Sequence, residues 1–189
     1  MSLRLAVLRF LVPISKGIGR LHAPFTHKRV NGPDVFSIQE KLVPGYVLLS
    51  FIRGELSNLF IPGEFTHAAM VIDDRFVIEA VGGGVRMNDI ISFMTSKDRV
   101  VLLRPLFADD EQRKKAVGLA QTTIGAPYDY LFEGGNRAFY CSELIQWCYE
   151  RSGASAFTKR KRFNISTVTP NDFAQAEEKW ELVWDSDLT

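Results

Sequence analysis

Cysteine and histidine are scarce in this chain. Of its 189 residues only Cys141 and Cys148 are cysteine, and only His22, His27 and His67 are histidine. Two cysteines cannot build a disulfide framework. Seven positions apart on one helix, they would stand roughly 10 Å apart along its axis, too far to bridge. Free thiols and a reducing compartment are therefore expected. No Cys, His and acidic residues recur at zinc-like spacing, so no metal site is expected. No run approaches the ~20 apolar residues of a membrane span. The formal net charge is only +1, which argues against bulk nucleic-acid binding. "KGIGR" lacks the strand and helix of a dinucleotide loop, and "VGGGV" lacks the Lys-Ser/Thr of a P-loop. No cofactor is expected.

What is present reads as a soluble globular chain, with 46% hydrophobic and 24% charged residues. Phenylalanine is plentiful at 14, which predicts an aromatic-rich core. Acids are missing before Asp34, whereas Arg4, Arg9, Lys16, Arg20, Lys28 and Arg29 all precede it. Arg4 and Arg9 break the apolar run, and no small-residue cleavage site follows, so a secretory signal is not expected and a cytoplasmic location is favoured. A basic, partly apolar arm suits an anionic membrane or a protein partner. The plainer alternative is a helix packed on its own domain. The expected division is a basic extension over 1–41 and a domain over 42–189.

Pro and Gly punctuate the first third, so residues 15–40 read as irregular. "PGYVLLSF" (44–51) reads as a buried strand, and 57–65 as a loop. "THAAMVI" (66–72) and "RFVIEAV" (75–81) are two strands around Asp73-Asp74, a hairpin signal. "GVRMNDI" reads as a short strand and "RVVLLRP" (99–105) as a stronger one. Residues 108–125 open with acids, continue with bases and end at Gly125, as a helix should. "CSELIQWCYERSG" (141–153) is a second helix, and Thr169-Pro170 open a third over 169–180. "ELVWD" (181–185) closes with a strand, and "KRKR" (159–162) reads as a solvated loop. Strands followed by helices predict an α+β fold, an antiparallel sheet with helices to one side.

One constellation carries chemistry. A thiolate attacks carbonyls, and a helix N-terminus or an adjacent imidazole lowers a thiol's pKa from ~8.5. Cys141 opens a helix, and His67 opens a strand. A third polar group normally orients such an imidazole, and Glu79 on the partner strand is the candidate. Side chains alternate faces. A strict two-residue turn at Asp73-Asp74 would point Glu79 away from His67. An odd loop or a bulge would set Glu79 opposite Ala69, on the His67 face. The plainer readings are a small buried cysteine, a structural histidine and a carboxylate on an edge strand.

The segment "IGAPYDYLFEGGNRAFYCSELIQWCYE" resembles the cysteine motif of the NlpC/P60 superfamily of papain-like hydrolases. "THAAMVIDDRFVIEAVGGGV" resembles its histidine strand and the strand after it. Here histidine precedes cysteine, an order similar to that of the circularly permuted branch, the YiiX/YebB-like amidases. "CSEL" and "TPNDFAQA" resemble that branch too, so the likeness spans roughly residues 42–184. It implies a permuted papain-like fold with Cys141 as nucleophile, His67 as general base and acid, and Glu79 orienting His67. It also implies that the Cys141 N–H and Tyr128, with Ser142, face the oxyanion or substrate. For Tyr128, packing beside Pro127 is the alternative, and Cys148 reads as core. Gly45-Tyr46 stands where the family commonly has Gly-Asp.

The leading expectation is thus a thiol hydrolase of amides, acting on a peptidoglycan-type peptide or a small amino-acid conjugate. The rivals are an acyltransferase or thioesterase on lipid or acyl substrates, and a non-catalytic binding module on the same fold.

Overall fold

The computed structural model describes residues 30–53, 63–132, 134–154, 157, 160–162 and 165–188. The basic arm with His22 and His27, and most of the loop read at 57–65, lie outside the described residues.

Six strands form one antiparallel sheet. They are β1 (Val47–Phe51), β2 (His67–Val71), β3 (Phe76–Val81), β4 (Gly84–Asp89), β5 (Arg99–Pro105) and β8 (Trp180–Asp185). Their order is β4-β3-β2-β1-β5-β8, which puts β2 and β1 at the centre. The central strands are apolar on both sides, so both sheet faces must be covered. Val47, Leu49, Met70, Ile78 and Leu103 pack on one face against α3 (Asp110–Thr122) and α4 (Cys141–Ser152). Leu48, Ala69, Val71, Val77 and Leu102 pack on the other face with residues of α1 (Gly32–Gln39) and α2 (Ile90–Thr95). The α+β class holds. The expectation of helices on one side does not, because "VLLSF" and "HAAMV" are buried along nearly their whole length.

Both missed helices begin at a side-chain cap. Asn31 accepts from the Asp34 N–H, and Asp34 accepts in return from the Asn31 N–H at 2.8 Å. Gly32 and Pro33, which look like breakers, occupy the first turn of α1, where proline's missing N–H costs nothing. Asp89 caps α2 by accepting from the Ser92 N–H at 2.8 Å. At six residues, α2 is too short to show a period. The third expected helix is cut to α5 (Pro170–Ala174). One turn beyond Phe173 lie Ala176 and Glu177, with no large apolar side chain to anchor a further turn. Part of "KRKR" is also not a loop: β6 (Arg160–Arg162) pairs with β7 (Ile165–Thr167).

The expected aromatic core lies on the α3/α4 face. Phe107 meets Tyr149, Phe157 and Trp180 edge-on at 5.1–5.6 Å, and Phe173 stacks on Trp180 at 5.1 Å. Edge-on pairs set the positive ring edge against a negative face. Tyr149 is fully buried, and its hydroxyl donates to the Gly45 carbonyl. Gly45 has a φ of 88°, so this contact holds a left-handed turn at the entrance to β1. Tyr149→Phe leaves that buried carbonyl without its donor. It should lower unfolding stability by about 1–2 kcal/mol in urea titrations.

Candidate active site

His67 opens β2, and Glu79 lies within β3. The loop between the strands decides whether they meet. Ile72 donates its N–H to the Phe76 carbonyl at 2.9 Å, so the loop proper is Asp73, Asp74 and Arg75, an odd number. Asp73 Oδ1 accepts from the N–H groups of Arg75 and Phe76, both at 2.8 Å, and fixes the turn. The register that follows sets Ala69 opposite Glu79, as the odd-loop expectation required. His67 and Glu79 become diagonal neighbours on one face. His67 Nε2 stands 2.7 Å from Glu79 Oε2.

Glu79 is 2% exposed. A carboxylate so buried needs partners for both oxygens. Its second oxygen, Oε1, accepts from Arg86 Nε at 2.9 Å, Arg86 Nη2 at 2.7 Å and Asn88 Nδ2 at 3.0 Å. Arg86 lies directly opposite Glu79 on β4, and Asn88 follows two residues on. The sequence reading missed both. Their signal was the alternation in "GVRMND", which puts Arg86 and Asn88 on one face. Burial pushes the Glu79 carboxyl up, but His67 and then Arg86 outweigh it and bring it down to about 2.

Cys141 is the first residue of α4 and is almost wholly buried. Its helix packs on the sheet face opposite to that of Ala69 and Val71. Sulfur and imidazole nevertheless meet, because His67 is at the strand end. The β2–β3 pairing stops at Ala69 and Glu79. Beyond it the Ala68 N–H turns to the Cys141 sulfur, as does the Ser142 N–H. With Nε2 held by Glu79, Nδ1 is the ring nitrogen left free to serve the hydrogen bond between His67 and Cys141. Burial pushes the Cys141 thiol up, but the His67 hydrogen bond and charge, with the two backbone donors, bring it below the ordinary thiol range. Burial likewise favours a neutral His67, yet the hydrogen bonds and charges of Cys141 and Glu79 raise it to about 9. The favoured pair is thiolate and imidazolium. Cys148 is buried with no such neighbours, and its thiol is pushed up by burial alone.

Tyr128 and Ser142 part company. Tyr128 pairs with Phe139 in a short parallel bridge, which brings it beside the start of α4. Its hydroxyl hydrogen-bonds no other described residue. Burial, and then the nearby Cys141 charge, holds it well above the ordinary range, so it stays a proton donor. The bridge is anchored to β4, where Val85 N–H donates to the Ala126 carbonyl at 2.8 Å. Gly84 is needed there, since a Cβ would stand 2.6 Å from that carbonyl oxygen. The Ser142 hydroxyl instead donates to the Val168 carbonyl at 2.9 Å, so its side chain ties the helix start in place. Only the Ser142 backbone faces the sulfur.

The family model of the permuted papain-like amidase enzymes, YaeF/YiiX, C92 family, matches residues 41–184. The chain belongs to this family. The crystal structure of metalloprotein yiiX from Escherichia coli O157:H7 matches with a TM-score of 0.63 at 20% identity, over 75% of this chain and 96% of that one. That likeness supports the permuted papain-like fold. No curated protein sequence matches the chain. That relative is described as a metalloprotein. Among the described residues of this chain, no three His, Cys, Asp or Glu side chains gather where they could hold a metal ion. Also among the described residues, no helix is long and apolar enough to cross a membrane.

These groups make stability depend on pH in a signed way. A carboxyl whose folded value is about 2 contributes stability that is complete above its ordinary 4.5 and is lost as pH falls toward 2. The raised His67 contributes stability that is full below its ordinary 6.5 and is lost as pH rises toward 9, and the lowered Cys141 thiol contributes with the opposite sign, so the two offset each other. Glu79→Gln should cost about 2–4 kcal/mol at neutral pH and remove most of the decline below about pH 4.5, as read by urea unfolding at several pH values.

Proposed function

We propose that Cys141, His67 and Glu79 hydrolyse amides through an acyl-enzyme. The observation that carries this reading is the unbroken chain from the Cys141 sulfur through the His67 ring to Glu79 Oε2. The Cys141 thiolate attacks the carbonyl carbon, and the carbonyl electrons move onto oxygen. The His67 imidazolium gives its proton to the amide nitrogen, the C–N bond breaks, and the amine leaves. His67, now neutral, takes a proton from water, whose oxygen attacks the thioester. The acid departs and the thiolate returns with the imidazolium. Glu79 keeps the ring oriented throughout.

The oxyanion needs donors aimed where charge develops. The Cys141 N–H, in the first helical turn, has no acceptor within the helix. The Tyr128 hydroxyl is the second donor we assign. The substrate class that suits this chemistry is a peptide amide or a small amino-acid conjugate.

Iodoacetamide tests the ion pair. Cys141 should be alkylated below about pH 7, far faster than Cys148, and His67→Ala should slow it about 10–100-fold there. A Cys141 that titrates near 8.5 would instead favour a binding module. p-Nitrophenyl acetate tests turnover. Cys141→Ser should abolish its hydrolysis, and an added amine that captures the acetyl group would favour an acyltransferase. Tyr128→Phe should lower turnover of this ester by about 10–100-fold with Cys141 alkylation unchanged. Unchanged turnover would leave Tyr128 a packing role only.

A further inference from the structure

We propose that Arg86, by sharing the Glu79 carboxylate with His67, sets the acid strength of the His67 imidazolium. The inference rests on the Cys141–His67–Glu79 reading above and adds a positioning residue to it.

Glu79 lies between two cations. Oε2 faces His67 Nε2 at 2.7 Å, and Oε1 takes Arg86 Nη2 at 2.7 Å and Nε at 2.9 Å. Their exposures differ sharply: the Arg86 side chain is 57% exposed and Glu79 is 2% exposed. Arg86 thus brings its charge to the site without being buried itself. Asn88 adds a neutral hydrogen bond to the same oxygen at 3.0 Å. The clamp on Oε1 leaves Oε2 for the imidazole.

The consequence follows from charge. A buried carboxylate with no other cation would hold the imidazolium proton tightly. In the proposed reaction that proton must pass to a leaving amine, and a donor works best with a pKa near the working pH. Arg86 offsets part of the Glu79 charge and repels the imidazolium, so it makes His67 the better acid. The other groups around His67 do not supply this. The Cys141 thiolate from α4 raises His67, as Glu79 does. Phe93 of α2 gives an uncharged ring 5.9 Å away, and the Lys97 ammonium sits 5.2 Å from that ring. Ser50 of β1, opposite His67, gives a buried hydroxyl without a hydrogen-bond partner among the described residues. Tyr128 stays neutral.

The test is the titration of the His67 ring in the full chain, followed by long-range proton–nitrogen NMR and assigned with His67→Ala. Arg86→Met should raise the midpoint by roughly half a unit to one unit. Arg86→Lys keeps the charge and loses the fork, and should restore most of the shift. Asn88→Ser, which changes no charge, should move the midpoint less than Arg86→Met. A midpoint that stays or falls in Arg86→Met overturns the proposal. Cys141→Ser separates this from the reading beneath it. If wild-type His67 titrates near 6.5 and Cys141→Ser does not move it, the ion pair itself is absent and both fall. If Cys141→Ser lowers a high midpoint while Arg86→Met leaves it in place, only the role of Arg86 fails.

Discussion

A carboxylate buried under a sheet is costly unless both its oxygens are satisfied, and Glu79 is such a group. Much of the surrounding structure follows from that requirement. One oxygen takes His67 and the other takes Arg86 and Asn88. Three strands must therefore be in register at one level. The Asp73 turn sets β2 against β3, and the Gly82-Gly83 turn sets β3 against β4. A slip of one residue in either pair would turn a partner to the other face. The register that satisfies Glu79 is the one that aims the His67 ring.

A second set of ties fixes the sulfur relative to that ring. Ser142 Oγ donates to the Val168 carbonyl, and the Val168 N–H donates to the Tyr140 hydroxyl. Three residues on, Asn171 Oδ1 accepts from the N–H groups of Glu64 and Phe65, and its Nδ2 donates to the Phe65 carbonyl. One short stretch of chain thus fastens the start of α4 and the approach to β2. Gly63 fits closely under this clamp, since a Cβ there would stand 2.3 Å from Asn171 Cγ. His67 precedes Cys141 by more than seventy residues. Their meeting depends on these cross-ties and on the place where β2 and β3 part, and chain order has no bearing on it.

Most elements were legible because their signals are local. The strands at 47–51, 67–71, 76–81 and 99–105 are apolar runs between turn residues, and α3 and α4 carry their own caps and charges. The pairing of Cys141, His67 and Glu79 was legible as candidates, since residue type and order pointed to them. Less was legible where a residue's meaning depends on a distant partner. Ser142 looked like part of the site, and its hydroxyl serves Val168 instead. Arg86 and Asn88 stood in a segment read only as a short strand, yet they hold Glu79. Gly32 and Pro33 looked like loop residues because nothing local shows that Ile38 is wholly buried.

The sequence by itself determined the antiparallel strands and the helix that begins at Cys141, and it left the parity of the β2–β3 turn open. The strands and the helix follow from backbone periodicity and turn chemistry, which act over a few residues. Tertiary structure decided the rest. It covered both faces of the sheet, because strands apolar on two sides leave no face for water. It brought a sulfur from one face to an imidazole on the other, because the β2–β3 pairing ends at that level. It chose which polar groups serve the site and which serve the frame, because a hydrogen bond is settled by the distance between two groups that the sequence sets far apart.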